Sequence, residues 1–115
     1  MKIINLSDNN SVLKHYIKEI RSVEIQKDSM RFRRNMERIG EIMAYEISKT
    51  MQYKMEEIQT PLGIAKIEEI DEKIVISTIL RAGLPFHTGF LKCLMFSVDR
   101  LNRQWQNLQR ADLYL

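Results

Sequence analysis

The fold of this chain is decided by Ile74-Val75-Ile76-Ser77-Thr78-Ile79-Leu80, which runs directly into Arg81-Ala82-Gly83-Leu84-Pro85. The first part is rich in β-branched side chains and almost continuously apolar, a pattern typical of a strand buried on both faces of a parallel sheet. Proline suits the first turn of a helix, so Pro85 predicts a short loop and then a helix. Ligands of open α/β sheets bind where such strands end. The sequence therefore predicts an α/β fold with a candidate site at Arg81 to Gly83.

Two helices and a hairpin are predicted before this stretch. Val12 to Ile20 has apolar residues at helical spacing. A second helix begins at a cap, Asp28 or Ser29, and its apolar stripe consists of Phe32, Met36, Ile39, Met43, Ile47 and Met51. Gly40 lies within the stripe and indicates either close packing against another element or a weak point. Thr60-Pro61-Leu62-Gly63 predicts the turn of a β-hairpin.

The composition is that of a small globular domain. The chain has 115 residues, of which 44% are apolar and 29% charged. No apolar run approaches the ~20 residues that span a bilayer, so no membrane segment is predicted. The single cysteine, Cys93, excludes an internal disulfide and favours a cytoplasmic location. The net charge of +3 permits an anionic partner without identifying one.

Arg81 and Gly83 have the chemistry of a phosphate-binding loop. An arginine fork binds phosphate oxygens in a bidentate way, and glycine lets the backbone approach an anion. The positive end of a following helix adds to the attraction. The alternative is a strand-end arginine in a surface ion pair, with Gly83 as a turn residue. The residues by themselves leave both interpretations open.

The other chemically reactive residues have structural alternatives. The basic helix face (Arg31, Arg33, Arg34 and Arg38, after Lys27) is either an anion or nucleic-acid surface or a solvated or oligomer-contact face. Base-stacking aromatics are not interleaved with these charges, which disfavours nucleic acid. His87 is either a substrate contact near the loop or a structural residue, and Cys93 lacks an activating motif. The acidic pairs of the hairpin region do not converge, and no metal-ligand spacing is present.

Three blocks of the sequence resemble the uracil phosphoribosyltransferases, which are type I phosphoribosyltransferases. The N-terminal helix of that family resembles Met30-Arg31-Phe32-Arg33-Arg34-Asn35 with Glu37-Arg38-Ile39-Gly40-Glu41 and Ala44-Tyr45-Glu46. The hairpin resembles Thr60 to Gly63, and the pyrophosphate-contacting loop resembles Ile79 to Leu84. The resemblance covers residues 1–91. It implies an incomplete phosphoribosyltransferase (Rossmann-like) fold with N-terminal helices, a β-hairpin, one buried core strand and a helical C-terminal tail.

The resemblance also implies an activity and its ligands. Members of the family join uracil to 5-phospho-α-D-ribose 1-diphosphate, giving UMP and diphosphate in cytoplasmic pyrimidine salvage, with Mg²⁺ bound through the diphosphate. Arg81, Ala82 and Gly83 would bind the phosphoribosyl diphosphate. No catalytic residue and no protein ligand to a metal is assigned. Because the family forms dimers, a homo-oligomer is expected.

The resemblance ends after Leu91, which divides the chain into residues 1–91 and a divergent tail, 92–115. Within the 115 residues there is no Asp-Pro and no Gly-Gly of the kind that forms the family's phosphoribosyl-binding loop. Val98, Leu101, Trp105 and Leu108 instead have helical spacing. We expect the chain to be truncated and inactive alone. The alternative is a non-catalytic module that associates with intact subunits through the Phe32 to Met51 helix.

Overall fold

The computed structural model describes residues 3–94. The elements are, in chain order, α1 (Val12–Arg21), a 3-10 turn (Ile25–Lys27), α2 (Ser29–Ser48), β1 (Tyr53–Thr60) and β2 (Gly63–Ile70). A third helix, α3, is described over residues 84–94. The described part combines helices with an antiparallel hairpin, in agreement with the predicted α/β class. None of the helices in the described part combines the length and apolar character that crossing a membrane requires.

Helix α2 begins at residue 29 because Asp28 caps it. One Asp28 carboxylate oxygen accepts hydrogen bonds from the backbone N–H groups of Met30 and Arg31, each at 3.1 Å. Such a cap satisfies amides that have no partner within the helix and contributes about 1 kcal/mol. The predicted apolar stripe is buried at its centre, at Ile39, whereas Phe32 near its start stays partly exposed. Met51 lies beyond the end of the helix.

The helices enclose a small core. Its buried apolar side chains in residues 3–94 are Leu13 of α1, Ile39 and Ala44 of α2, and Leu94 of α3. Asn35 is the one buried polar residue among them. Its amide nitrogen donates to Glu19 Oε2 at 2.6 Å, which joins α2 to α1. The hydrogen bond explains how a polar side chain is accommodated in the core.

Two glycines let α3 approach α2 closely. A Cβ atom on Gly40 would lie 2.5 Å from the Phe86 carbonyl oxygen and 3.3 Å from the Gly89 Cα. A Cβ atom on Gly89 would overlap the Glu37 carbonyl oxygen and lie 2.9 Å from the Glu41 nitrogen. Close packing, the first of the two interpretations of Gly40, is therefore correct. The contact fixes where α3 begins, and so where the preceding loop lies.

The predicted hairpin is confirmed as an antiparallel pair. Its register runs from Tyr53 opposite Ile70 to Thr60 opposite Gly63, with Pro61 and Leu62 in the turn. Gly63 has φ of 135°, a conformation that favours glycine. Both strands are exposed or half-buried along their whole length.

The buried strand predicted over residues 74–80 is not formed. Residues 71–79 have no regular secondary structure, and Val75 and Ile79 are 87% and 88% exposed. A strand needs a hydrogen-bonded neighbour, and no backbone hydrogen bond is made by residues 74–78 within the described part of the chain. Exposure nevertheless alternates along the segment, with Ile74, Ile76 and Thr78 half-buried. The segment therefore has one covered face and one open face.

The helix predicted after Gly83 is confirmed as α3. It continues across the predicted boundary between residues 91 and 92 as far as Leu94. The rest of the predicted helical tail, with Val98, Leu101, Trp105 and Leu108, lies outside the described residues.

Candidate functional site

The candidate site is the turn that joins the open segment to α3. Residues 80–83 form the turn, and the Leu80–Arg81 peptide bond is cis. The Gly83 amide donates to the Ile79 carbonyl at 3.2 Å, and the Leu84 amide donates to the Arg81 carbonyl at 3.2 Å. The His87 amide then donates to the Gly83 carbonyl at 2.9 Å, which connects the turn to the first turn of α3. The turn is thus closed by its own backbone.

Gly83 is required for space at this turn. A Cβ atom there would overlap the Thr78 hydroxyl oxygen and lie 2.9 Å from the Ile79 carbonyl oxygen. Both atoms belong to the segment that enters the turn, so a side chain would push the entering chain away from α3. The sequence pointed to Gly83 as a residue of the turn. Nothing in it indicated that the Thr78 hydroxyl would occupy the space beside this glycine.

The Arg81 side chain has no polar partner in the part of the chain that the structure describes. It is exposed, and no hydrogen bond or ion pair occupies its guanidinium within residues 3–94. The surface ion pair considered as an alternative is therefore not formed in this part of the chain. Among the described residues, the Arg81 and Ala82 amides make no backbone hydrogen bond either, whereas the Gly83 amide donates to the Ile79 carbonyl. Within residues 3–94, the turn therefore leaves the Arg81 guanidinium and the Arg81 and Ala82 amides without a hydrogen-bond partner.

Helix α3 anchors the turn to α2 by charge as well as by close packing. Lys92 Nζ lies 2.8 Å from Glu37 Oε2 and 3.9 Å from Glu41 Oε1. The hydrogen bond from Lys92, and to a smaller degree the one from Arg34, lowers the pKa of the Glu37 carboxyl below its usual range. The Glu37 carboxyl is therefore ionised at neutral pH, and its ion pair with Lys92 joins α3 to α2.

A small cavity lies under the open segment. It has a volume of about 120 Å³ and is lined by Ile76, Ser77 and Thr78 on one side and by Phe86, His87 and Phe90 of α3 on the other. His87 is half-buried in this lining, and its backbone amide closes the turn.

The remaining candidates lie away from the turn. Cys93 is half-buried, and burial, followed by the charge of Glu41, raises the pKa of its thiol, so it is a weak nucleophile. The acidic pairs of the hairpin are engaged separately: Glu57 with Lys66 at 3.7 Å, and Asp71 with Lys54 at 3.0 Å. Within the described residues, no three His, Cys, Asp or Glu side chains converge as a metal site would require.

The basic face of α2 lies against α1. Arg31, Arg34 and Arg38 line a cleft of about 450 Å³ with His15 and Glu19. Each arginine has a local partner: Arg31 and Asp28 at 4.0 Å, Arg34 and Glu37 at 3.1 Å, and Arg38 above the Tyr16 ring at 5.2 Å. Much of the predicted surface is therefore occupied by intrachain contacts.

Comparison with known proteins identifies the fold and its family. The family model described as "Uracil phosphoribosyltransferase" matches residues 7–102. A uracil phosphoribosyltransferase from Porphyromonas gingivalis is 53% identical over 91 residues, which are 79% of this chain and 42% of that protein. One from Sulfolobus acidocaldarius is 40% identical over 87 residues, or 72% of this chain and 39% of that protein.

A solved structure, that of the AQ2163 protein from Aquifex aeolicus, has a similar fold. The two chains superpose with a TM-score of 0.62 at 27% sequence identity. The matched region is 74% of this chain and 40% of the AQ2163 chain. The chain thus spans about two fifths of the length of the proteins it resembles. The match over residues 7–102, together with these relatives, shows that the chain belongs to the uracil phosphoribosyltransferase family.

Proposed function

We propose that the Arg81 to Gly83 turn is the diphosphate-binding part of a uracil phosphoribosyltransferase site. The reaction joins uracil to 5-phospho-α-D-ribose 1-diphosphate and releases UMP and diphosphate. The observation that carries the proposal is the exposed Arg81 guanidinium at the start of α3, which, like the Arg81 and Ala82 amides, has no partner in the described part of the chain. Family membership supports the substrate class.

The chemistry of the reaction fits these donors. Breaking the bond to diphosphate leaves negative charge on the departing oxygens, and fixed N–H dipoles and a permanent cation stabilise such charge. Arg81 supplies the cation and a fork that matches two phosphate oxygens. The Arg81 and Ala82 amides would donate to a third oxygen. Gly83 contributes space for the turn rather than a donor, because its amide is bound to Ile79.

Mg²⁺ has no ligand set of its own in the described part of the chain, because no cluster of three suitable side chains is found there. We propose that the metal would be held through the oxygens of the diphosphate. We also propose that the chain alone forms no UMP. The 115 residues contain no Gly-Gly loop that could bind the ribose 5′-phosphate.

Thermal unfolding with and without phosphoribosyl diphosphate tests the binding role. A ligand present at 100 times its Kd stabilises a protein by about 2.7 kcal/mol, so binding raises the unfolding temperature. We expect Arg81→Ala to abolish the rise and Arg81→Lys to restore part of it. Arg33→Ala, which removes an exposed arginine of α2, is the matched control and should leave the rise unchanged. An equal rise in Arg81→Ala would refute the assignment.

The second candidate function is association with intact subunits through α2. The exposure of Tyr45 and Ile47 on this helix, at 58% and 42%, favours it. Light scattering of the chain mixed with an intact relative would detect the association. Under this alternative Ile47→Lys prevents binding, and phosphoribosyl diphosphate has no effect on unfolding.

A further inference from the structure

The turn that carries Arg81 is closed by long hydrogen bonds. The Gly83 amide donates to the Ile79 carbonyl at 3.2 Å, and the Leu84 amide donates to the Arg81 carbonyl at the same distance. This distance lies at the upper end of the range for N–H···O hydrogen bonds. The Ile79 side chain is 88% exposed, so it does not hold the turn by its own burial. The conformation of the turn therefore depends on which other side chains touch it.

The Thr78 side chain fills the space beside Gly83. A Cβ atom on that glycine would overlap Thr78 Oγ1, so the hydroxyl stands directly against the last residue of the turn. Thr78 also lines the small cavity together with Phe86 and His87 of α3. It is half-buried, whereas its two neighbours in sequence are exposed. Thr78 therefore borders both the turn and the helix that follows it.

The chemistry of threonine suits a spacer at this point. Two branches at Cβ restrict χ1, so the hydroxyl keeps one place relative to the backbone. The Thr78 hydroxyl makes no hydrogen bond among the residues that the structure describes. What it contributes there is the volume that it occupies beside Gly83. Without that volume Gly83 could shift, and the Arg81 and Ala82 amides just before it would turn with it.

We propose that Thr78 is a positioning residue of the Arg81 turn. It acts through Gly83, because the hydroxyl fixes this glycine and the glycine fixes the orientation of the Arg81 and Ala82 amides. The effect on the turn belongs to the free chain. Its consequence for diphosphate rests on the proposed function. Fixed donors bind an anion more tightly than mobile ones, since less conformational freedom is lost on binding.

Amide hydrogen exchange in the free 115-residue chain, followed by NMR, tests the effect on the turn. Thr78→Ala removes the hydroxyl and the methyl group, and the Gly83 amide should then exchange at least about tenfold faster. Thr78→Ser keeps an oxygen beside Gly83 and should stay within about threefold of the parent. Ser77→Ala, which removes an exposed hydroxyl from the same segment, is the matched control. Unchanged exchange in Thr78→Ala, or an equal rise in Thr78→Ser, overturns the proposal.

A pair of substitutions isolates the contact between Thr78 and Gly83. Gly83→Ala alone brings a Cβ atom into the space of the hydroxyl. In the double variant with Thr78→Ala that overlap is gone, although the 2.9 Å approach to the Ile79 carbonyl oxygen remains. The double variant should therefore be more stable than the two single effects predict, by at least about twofold in the unfolding equilibrium constant. Additive effects would mean that the two residues do not touch, and would reject the proposal.

Titration calorimetry with inorganic diphosphate separates this proposal from the proposed function. We expect Thr78→Ala to bind diphosphate about tenfold more weakly than the parent, and Thr78→Ser to bind it almost as well. If the parent binds none while Gly83 exchange responds as expected, Thr78 orders the turn and the proposed function fails. If Thr78→Ala loses affinity while Gly83 exchange is unchanged, the hydroxyl contacts the ligand itself, and the positioning role is refuted.

Discussion

Substitution of Gly89 by alanine tests the close contact between α2 and α3. Alanine is the better helix former by about 1 kcal/mol, so propensity alone predicts a more stable protein. The structure predicts the reverse. The new Cβ atom would overlap the Glu37 carbonyl oxygen and lie 2.9 Å from the Glu41 nitrogen, both of them backbone atoms of α2. Neither atom can rotate away, so the helices must separate.

The magnitude follows from the balance of these two effects. Overpacking of a close contact costs typically 1–3 kcal/mol, and a backbone neighbour places this case near the upper end, at about 3 kcal/mol. Subtracting about 1 kcal/mol for helix propensity leaves a net loss of about 2 kcal/mol. For a domain of this size, each kcal/mol lowers the unfolding temperature by roughly 4–8 °C. The variant should therefore unfold about 10 °C lower.

Thermal unfolding followed by circular dichroism measures the difference. Arg33→Ala introduces alanine at an exposed position of α2, where no contact changes, and should stay within about 0.5 kcal/mol of the parent. If Gly89→Ala unfolds at the same or a higher temperature, the two helices do not meet at this glycine, and the position of the Arg81 turn would have to be revised.

Two further substitutions test the cap at the start of α2 and the hydrogen bond that joins α2 to α1. Asp28→Ala removes the cap of α2 and should lower the free energy of unfolding in urea by about 1 kcal/mol. Asp28→Asn keeps a capping oxygen and should retain most of this stability. Equal losses in the two variants would exclude a capping role. Glu19→Gln tests pH dependence. The hydrogen bond from Asn35 lowers the pKa of Glu19, so the stabilisation is present above the ordinary carboxyl pKa and is lost as pH falls through the lowered value. The unfolding temperature of the variant should fall less steeply in acid than that of the parent, and parallel curves would contradict this.

Elements specified by local sequence were predictable. The cap at Asp28, the turn at Pro61 and Leu62, and the helix start near Pro85 each depend on residues close in sequence. Arg81 was identified as a candidate for the same reason, since a cation, a glycine and a helix start follow one another along the chain.

Features that depend on distant residues were not predictable. The apolar run at residues 74–80 indicated a strand, but a strand forms only where another strand supplies hydrogen bonds, and none pairs with it in residues 3–94. Asn35 showed no sign of burial in the sequence, because its partner Glu19 lies 16 residues away on another helix. The contact of Thr78 with Gly83 likewise depends on how the turn folds back.

The exposed hairpin offers a way to measure distances on this protein. Each strand has eight residues, so the tip at Leu62 stands about 27 Å from the hairpin base at the rise of an extended strand. The base is held to the end of α2 by the Tyr53 hydroxyl, which donates to the Ser48 carbonyl at 2.9 Å. A fluorophore at Leu62 and a second one on α3 would therefore lie on separate structural elements, and energy transfer between them would measure the distance from the hairpin tip to that helix.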